Sequence, residues 1–233
     1  MKKFITICFI IIASFSLTYS QLNTVVSLTG SIKNELTKEP VGIDVRVFNG
    51  EGKQIFVVKS NSKDGYYFMT GLKPDTTYYI RFNDFSYFAN SYEFTVPKTN
   101  KYQEYSKDFT VTPKKEGMKF PLKVSPFDVG KSNLRAGSDI ILNEIVSILK
   151  LNRRTEFLIK AYPDNSNDSE FNSKLTTERA EELKEYFISK GVRPEQLNIE
   201  GSSNLDTEMP PPVGKQAKGK KYRGPIYLQI TKI

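Results

Sequence analysis

The sequence contains no histidine among its 233 residues. Histidine is the commonest general base of enzymes and a frequent zinc ligand. Its absence excludes a Ser-His-Asp or Cys-His catalytic group and every metal site that needs an imidazole ligand. Most common hydrolase mechanisms are thereby excluded, and we expect a protein that is not an enzyme and that needs no cofactor or metal ion.

Cysteine is almost as rare, because Cys8 is the only one in the chain. A single cysteine cannot form an intramolecular disulfide, a thiolate zinc site or an iron–sulfur cluster. The fold must therefore be held by burial of apolar groups, and 16 Phe and 13 Tyr help to supply them. A chain of 233 residues can form one large domain or two of about 100 residues each.

The only long apolar run lies at the N-terminus, at residues 4–17, after a short basic head. A basic head, an apolar run and small residues after it are typical of a secretory signal. Residues 1–20 are therefore predicted to be a signal peptide that is cleaved between Ser20 and Gln21. The alternative, a retained membrane anchor, needs about 20 apolar residues. No later segment approaches that length, so we expect no transmembrane segment in the mature chain.

The formal net charge is +8, of which two positive charges belong to the predicted signal peptide. A basic protein that leaves the cytoplasm meets the anionic polymers of the cell envelope rather than nucleic acid. The sign of the charge does not identify a partner, but in an exported protein we expect no nucleic acid.

Residues 21–112 have the pattern of an all-β domain. Segments rich in Val, Ile, Phe and Tyr are separated by turn residues at intervals of about ten. Alternation in segment 43–47 places Ile43, Val45 and Val47 on one face. We predict an Ig-like sandwich of the seven-strand type. The clearest strands are predicted at 43–47, 55–59, 66–69 and 78–82.

Three signatures follow one another between about residues 25 and 112. The first is Gly30 with Pro40-Val41 and residues 45–47 (VRV), the second is residues 62–68 (SKDGYYF), and the third is residues 71–74 (GLKP) with 78–80 (YYI). In this the segment resembles the carboxypeptidase regulatory-like, transthyretin-like β-sandwich family. The resemblance implies a module without catalytic activity that serves as a spacer or contact surface. Asp64 and Gly65 are interpreted as a turn, in which the carboxylate bonds its own backbone and the glycine takes a positive φ.

The composition changes at residues 113–117, which we predict to be a linker before a second domain at 118–233. Apolar residues recur there at helical spacing in 139–151. A second helix is predicted to begin with Thr176 as its N-cap and to end at Gly191. Together with strands, these helices predict an α/β sandwich with both helices on one face of a mixed sheet. The strands are predicted at 119–124, 157–161, 197–199 and 226–230.

Two motifs of the second domain are spaced like those of a known family. They are AYPD at residues 161–164 and LTTERA at 175–180, with Asn172 between them. Residues 118–233 resemble the OmpA C-terminal-like, peptidoglycan-binding family, which carries Gly-His-Thr-Asp, Asn and Leu-Ser-x-x-Arg-Ala at these places. The separation of Asp164 and Arg179 is also the one typical of that family.

The resemblance implies that the ligand is the diaminopimelate residue of the peptidoglycan stem, whose free end carries an ammonium and a carboxylate. Asp164 can accept from the ammonium, and Arg179, in the predicted first helical turn, can bind the carboxylate with help from the helix end. The alternative is an internal pair of Arg179 with Asp164 itself or with Glu182. The predicted peptidoglycan-binding residues are Asp164, Asn172, Thr176, Arg179 and Arg223.

The chain departs from the family pattern at two places. Tyr162-Pro163 stands where the family has His-Thr, and Arg223-Gly224-Pro225 stands where it has Asn-Arg-Arg before the last strand. The first change removes a hydroxyl beside Asp164. If Arg223 takes the place of the family's asparagine, the second change removes both arginines.

Residues 202–225 are predicted to form a long loop that is a solvated excursion; the alternative is electrostatic attraction to an acidic polymer. Asp206 and Glu208 on this loop are interpreted as exposed charges rather than as a catalytic pair. The basic residues of the loop are Lys215, Lys218, Lys220, Lys221 and Arg223.

These observations predict an exported protein of the periplasm, associated with the outer membrane, that binds peptidoglycan stems noncovalently. Its sandwich would contact another envelope protein. The alternative is a protein–protein adaptor with a degenerate peptidoglycan site, in which the aromatic segment 82–94 contacts the partner.

Overall fold

The computed structural model of the chain describes residues 24–165, 167–214 and 221–233. The predicted signal peptide with its cleavage position, and Lys215, Lys218 and Lys220 of the basic series, lie outside the described residues. Among the residues that are described, no helix is long and apolar enough to cross a membrane.

The N-terminal region is a sandwich of two four-stranded sheets around one apolar core. Its strands are β1 (Val26–Asn34), β2 (Asp44–Phe48), β3 (Gln54–Lys59), β4 (Tyr66–Leu72), β5 (Thr76–Asn83), β6 (Ser91–Val96), β7 (Gln103–Ser106) and β8 (Phe109–Val111). One sheet has the order β4-β1-β7, with β8 also paired to β1, and the other has the order β3-β2-β5-β6. There is thus one strand more than the predicted seven in residues 24–112.

Alternation along the strands positions the core as the sequence predicts. Ile43, Val45 and Val47 share a face and are each at most 2% exposed. The predicted turn is also present, since an oxygen of the Asp64 carboxylate accepts from the backbone N–H of Tyr66 at 2.8 Å and Gly65 has a φ of 74°. A β-carbon at Gly65 would lie 2.3 Å from the carbonyl oxygen of Ile32, so the turn has no room for a side chain.

The C-terminal region has a second core between a four-stranded sheet and two helices. Its elements are β9 (Lys119–Pro121), α1 (Asp139–Leu151), β10 (Glu156–Ala161), α2 (Ser169–Ser189), β11 (Leu197–Gly201) and β12 (Ile226–Lys232). The sheet order is β11-β10-β12-β9, with β10 and β11 parallel and the other pairs antiparallel. The sheet is mixed, as predicted, and α1 has the predicted bounds.

Helix α2 begins at Ser169, seven residues before the predicted start at Thr176. Asp168 is the N-cap, and its carboxylate accepts from the N–H of Phe171 at 2.9 Å. The prediction missed these first turns because the segment before Leu175 is rich in Asn, Ser and Asp, which favour turns. Arg179 therefore lies about 15 Å along the helix from its first residue, at 1.5 Å per residue. The predicted help from the positive end of the helix is wrong.

The loop between β5 and β6 connects the two regions directly. The ring centroid of Phe88 lies 4.9 Å from that of Phe120 and 6.0 Å from that of Phe157. The side-chain amide of Asn152, at the end of α1, exchanges two hydrogen bonds of 2.9 Å with the backbone N–H and C=O of Ala89. Contacts outside residues 113–117 thus fix the two regions to each other.

The aromatic segment 82–94 is mostly used inside the chain. Phe82 is buried in the sandwich core, and Tyr92 and Phe94 pack against that core. Phe88 packs against the C-terminal core, whereas Phe85 is 66% exposed. Most of the aromatic rings of the segment thus belong to the cores, which leaves the exposed ring of Phe85 for the partner contact of the adaptor alternative.

Candidate functional site

Asp164 and Arg179, the two residues with predicted ligand contacts, are paired with each other. Asp164 follows β10 and Arg179 lies on the face of α2 that meets the sheet. Nη1 of Arg179 donates to Oδ1 of Asp164 at 2.9 Å, and Nη2 donates to Oδ2 at 2.8 Å. The side chain of Arg179 is 0% exposed and that of Asp164 is 2% exposed. The guanidinium carbon of Arg179 lies 5.4 Å from the ring centroid of Phe127. Neither group is therefore open to a ligand in this structure, and the internal pair that the sequence left as an alternative is formed.

Residues 128–131, which we call the covering loop, lie against one side of the pair and bond to it through their backbone. Arg179 donates from Nε to the carbonyl oxygen of Lys131 at 2.9 Å, and from Nη2 to that of Asp128 at 3.0 Å. The N–H of Gly130 donates to Asp164 at 2.8 Å. The covering loop thus offers the pair a donor for its carboxylate and acceptors for its guanidinium.

Gly224 closes the pair from the other side. Its N–H donates to Asp164 at 2.8 Å. A β-carbon at position 224 would lie 1.9 Å from the carbonyl oxygen of Tyr162 and 2.5 Å from that of Pro163. The N–H of Tyr162 in turn donates to the carbonyl of Pro225 at 3.0 Å. The two departures from the family pattern therefore lie against each other, and the glycine allows the approach of the two backbones.

The other three predicted site residues differ in whether their polar atoms have hydrogen-bond partners. Asn172 donates to the carbonyl of Asn165 at 2.7 Å, but its buried Oδ1 has no hydrogen-bond partner among the described residues. The hydroxyl of Thr176 is within 3.0 Å of the carbonyl oxygens of Asn172 and Ser202. Arg223 lies 3.9 Å from the carboxylate of Asp128, and its buried Nε likewise has no partner in the described part of the chain.

A groove of about 540 Å³ lies on the outer side of the covering loop. Side chains of the first turns of α2, among them Phe171 and Lys174, line its opposite wall. The hydroxyl of Ser132 donates to the carboxylate of Glu178 across it at 3.0 Å. The groove leads to the loop that covers the pair and not to the pair itself.

The environment of Asp164 favours its charged form. Burial acts to raise the pKa of the carboxyl, but hydrogen bonds from Arg179 and from the N–H groups of Gly130 and Gly224 outweigh it, so that the pKa is lowered. Within the described residues, no group of three His, Cys, Asp or Glu side chains lies together as a metal site would require. The pair can hold a small charged ligand that takes the place of the covering loop and makes the same hydrogen bonds.

The lowered pKa of Asp164 makes the stability of the fold depend on pH. A carboxyl whose pKa is lower in the folded than in the unfolded chain stabilises the fold above its unfolded pKa of about 3.9, and this contribution is lost as the pH falls through the folded value. We expect the free energy of unfolding of the wild type to exceed that of Asp164→Asn by the largest amount above about pH 5, and the difference to shrink below about pH 4.

Urea unfolding of the wild type and of Asp164→Asn, from about pH 5 down to about pH 2, measures the difference between their free energies of unfolding. Asp139→Asn changes an exposed carboxylate and serves as the control. A constant difference between the wild type and Asp164→Asn across this range would contradict the prediction.

The loop that precedes β12 is better organised than predicted. Asp206 is 3% exposed, and its carboxylate accepts from Tyr227 and from the N–H groups of Glu208 and Met209. Glu208 pairs with Lys119. The prediction that Asp206 is an exposed charge is wrong, because it orders the turn at residues 206–209.

The sequence did not reveal the backbone partners of the pair. The carbonyl oxygens of Asp128 and Lys131 and the N–H groups of Gly130 and Gly224 carry no side-chain signature. The one available signal was a glycine at position 224, in a place where the family pattern has arginine.

The C-terminal region thus combines a mixed four-stranded sheet and two helices with a buried carboxylate–arginine pair. Residues 126–219 match the model of the OmpA family. The chain thus contains an OmpA family domain, and the predicted resemblance is confirmed over that range. The match does not include the N-terminal region, where the carboxypeptidase regulatory-like resemblance stays a prediction.

The chain is similar to proteins of known name over part of its length. Outer membrane protein P5 of Haemophilus influenzae is 29% identical over 98 residues, which are 41% of this chain and 27% of that protein. Photosystem I P700 chlorophyll a apoprotein A2 of Gloeobacter violaceus is 31% identical over 75 residues, 32% of this chain and 9% of that protein. The chain therefore spans about a quarter or less of the length of these relatives.

Among solved structures, the peptidoglycan-associated lipoprotein from Burkholderia pseudomallei is similar with a TM-score of 0.37 and 23% identity. The similarity covers 45% of this chain and 86% of that one.

Proposed function

We propose that this chain is a cell-envelope protein without catalytic activity whose OmpA-like domain binds the peptide stems of peptidoglycan. The family match over residues 126–219 supports peptidoglycan as the ligand class. The name of the relative in Haemophilus influenzae, outer membrane protein P5, supports a place at the outer membrane. The periplasmic side of that membrane is part of the proposal, because the proposed ligand lies there. Binding is noncovalent, and it tethers the protein to the wall.

The observation that carries the proposal is the pairing of the Asp164 carboxylate with the Arg179 guanidinium inside that domain. The free end of diaminopimelate offers an ammonium to the carboxylate and a carboxylate to the guanidinium. The covering loop offers the same two kinds of group, an N–H from Gly130 and a carbonyl from Lys131. The ligand therefore binds by displacing the covering loop and taking over its hydrogen bonds.

Two unpaired polar atoms beside the pair support this exchange. Oδ1 of Asn172 is an acceptor and Nε of Arg223 is a donor, and both are buried without partners in the described part of the chain. An unpaired buried polar group costs about 1–3 kcal/mol. A zwitterionic ligand that pairs with these atoms recovers part of that cost and offsets the opening of the loop.

The covering loop limits the strength of binding, because it closes the site in this structure. Because the loop must open first, the apparent affinity is lower than that of the open site by the fraction of molecules that are open. We expect micromolar affinity or weaker, about −8 kcal/mol or less in magnitude. Repeated stems along the polymer compensate for a weak single site.

Competition tests the proposal with the unaltered protein. The wild type should sediment with purified sacculi, and the tripeptide L-Ala-γ-D-Glu-meso-diaminopimelate should release it. The same tripeptide with lysine in place of diaminopimelate lacks the second carboxylate and should release at least about tenfold less at equal concentration. Equal release by both peptides contradicts recognition of the zwitterion.

A variant locates the site. Asp164→Asn should lose retention on sacculi, whereas Glu185→Gln, the same change of charge at an exposed position of α2, should keep it. Circular dichroism shows whether each variant is folded under the conditions of the assay. Undiminished retention of a folded Asp164→Asn protein contradicts a role of the pair in binding.

The second candidate function is a protein–protein adaptor of the envelope whose peptidoglycan site has been lost. The complete burial of the pair favours it, because the hydrogen bonds that a ligand would make with the Asp164 carboxylate and the Arg179 guanidinium are already made within the chain. This function is supported if the wild type does not sediment with sacculi and copurifies in equal amount with another envelope protein.

A further inference from the structure

A second groove, with a volume of about 800 Å³, lies between the two regions; we call it the inter-region groove. One wall comes from β5, β6 and the loop between them, and the other comes from the end of α1 and the residues after it. The double hydrogen bond between Asn152 and Ala89 holds the walls together. The volume is in the range of ligand sites, about 300–1,000 Å³.

The walls carry a large excess of positive charge. Glu93 is the only acidic residue among the described residues that line the groove, against five basic ones. None of the five forms an ion pair within the described chain. The basic residues are Arg81, Lys114, Lys150, Arg153 and Arg154.

Asp84, which is not among the lining residues, favours the charged form of Lys114. Its carboxylate already accepts from the N–H of Ser86 at 2.7 Å. Burial outweighs its effect and lowers the pKa of Lys114. Like charges in a concave surface repel each other, so a bound anion stabilises this arrangement.

Two of the arginines place their guanidinium groups near aromatic rings. The guanidinium carbon of Arg81 lies 4.4 Å from the ring centroid of Phe48, and Nε donates to the hydroxyl of Ser91 at 3.3 Å. The guanidinium carbon of Arg154 lies 4.7 Å from the centroid of Phe85. Such preorganised guanidinium groups bind phosphate or carboxylate with little loss of side-chain freedom.

Aromatic and hydroxyl groups complete the lining. Phe85, at 66% exposed, and Tyr79 present ring surface to the groove, and Ser91 and Ser147 present hydroxyls. A simple inorganic anion needs no aromatic surface. Sugar rings have apolar C–H faces that pack on aromatic rings and hydroxyls that bond to serine, so a sugar with anionic groups matches all three features of the groove.

We propose that the inter-region groove binds a segment of an anionic glycan, with sugar rings against Phe85 and Tyr79 and with phosphate or carboxylate groups against the five basic residues. This site is separate from the Asp164–Arg179 pair and does not depend on the proposed peptidoglycan binding.

Calorimetry with the purified full chain and two matched pairs of oligosaccharides tests the proposal. The pairs are mannopentaose phosphate with mannopentaose, and hexagalacturonate with its methyl ester. At least one anionic member should bind at least about tenfold more tightly than its neutral partner. The member that does so shows whether phosphate or carboxylate is recognised. No difference within both pairs overturns the proposal, and so does equal binding of hexaglutamate, which would indicate a site for acidic peptides.

Matched variants locate the site. Arg153→Gln with Arg154→Gln should weaken binding about tenfold, whereas Lys63→Gln with Lys73→Gln, the same charge change at exposed positions of the sandwich, should change it less than about twofold. Phe85→Ala should weaken binding about fivefold, and Phe68→Ala, an exposed phenylalanine on β4, should not. Equal effects of the groove variants and their controls overturn the proposal. Asp164→Asn, where folded, should bind the oligosaccharide as the wild type does.

Discussion

Replacement of Arg179 by alanine is expected to lower the free energy of unfolding by about 3–5 kcal/mol. The change leaves the Asp164 carboxylate buried with only the N–H groups of Gly130 and Gly224. It also leaves the carbonyl oxygens that now accept from Arg179 without that donor, and a cavity beside Phe127. Urea unfolding followed by circular dichroism measures the loss.

Lys174→Ala is the matched control, because it breaks an ion pair on the surface of the same helix. Lys174 lies 4.0 Å from Glu178 and its side chain is 77% exposed. Exposed pairs of this spacing contribute about 0.3–0.5 kcal/mol. If Arg179→Ala costs no more than this control, the pair is not buried in solution and the closed site does not exist there.

Gly224→Ala is expected to lower the free energy of unfolding by about 2 kcal/mol or more. The new methyl group would meet the carbonyl oxygen of Tyr162 at 1.9 Å, which forces the two backbones apart. Their separation also weakens the hydrogen bond from the N–H of Gly224 to Asp164. The expected result is a less stable protein whose covering contacts are loosened on one side of the pair.

Gly50→Ala provides the comparison, since a β-carbon at Gly50 has no atom within 4 Å. It should leave the free energy of unfolding within about 0.5 kcal/mol of the wild type. A Gly224→Ala protein as stable as the Gly50→Ala protein would show that residues 162 and 224 do not approach each other this closely.

The sequence predicted the elements whose apolar residues follow a regular period. Helix α1 has its predicted bounds, and of the apolar residues whose spacing predicted it, Leu142 and Leu149 lie on the buried face, whereas Ile140 is 70% exposed. The alternation of residues 43–47 likewise predicted a buried face of β2. The start of α2 could not be predicted in this way, because its first turns carry mainly polar residues and contribute mostly exposed positions.

The position of the candidate site could be predicted, and its state could not. The spacing of Asp164 and Arg179 brings them together because β10 and α2 are neighbouring elements of one domain. Whether the pair is open depends on where the backbone of residues 128–131 and of Gly224 lies. Backbone groups are the same in every residue, so only the fold shows that they complete the coordination of the pair.

The contact of Phe88 with Phe120 and Phe157 has a consequence for how the chain can be divided. A cut at residues 113–117, where the composition changes, would expose apolar rings on both fragments. A fragment that ends or begins there presents Phe88, or Phe120 and Phe157, to solvent without the partner rings that pack on them in the whole chain. Such a fragment gains an apolar surface patch, of the kind through which proteins associate.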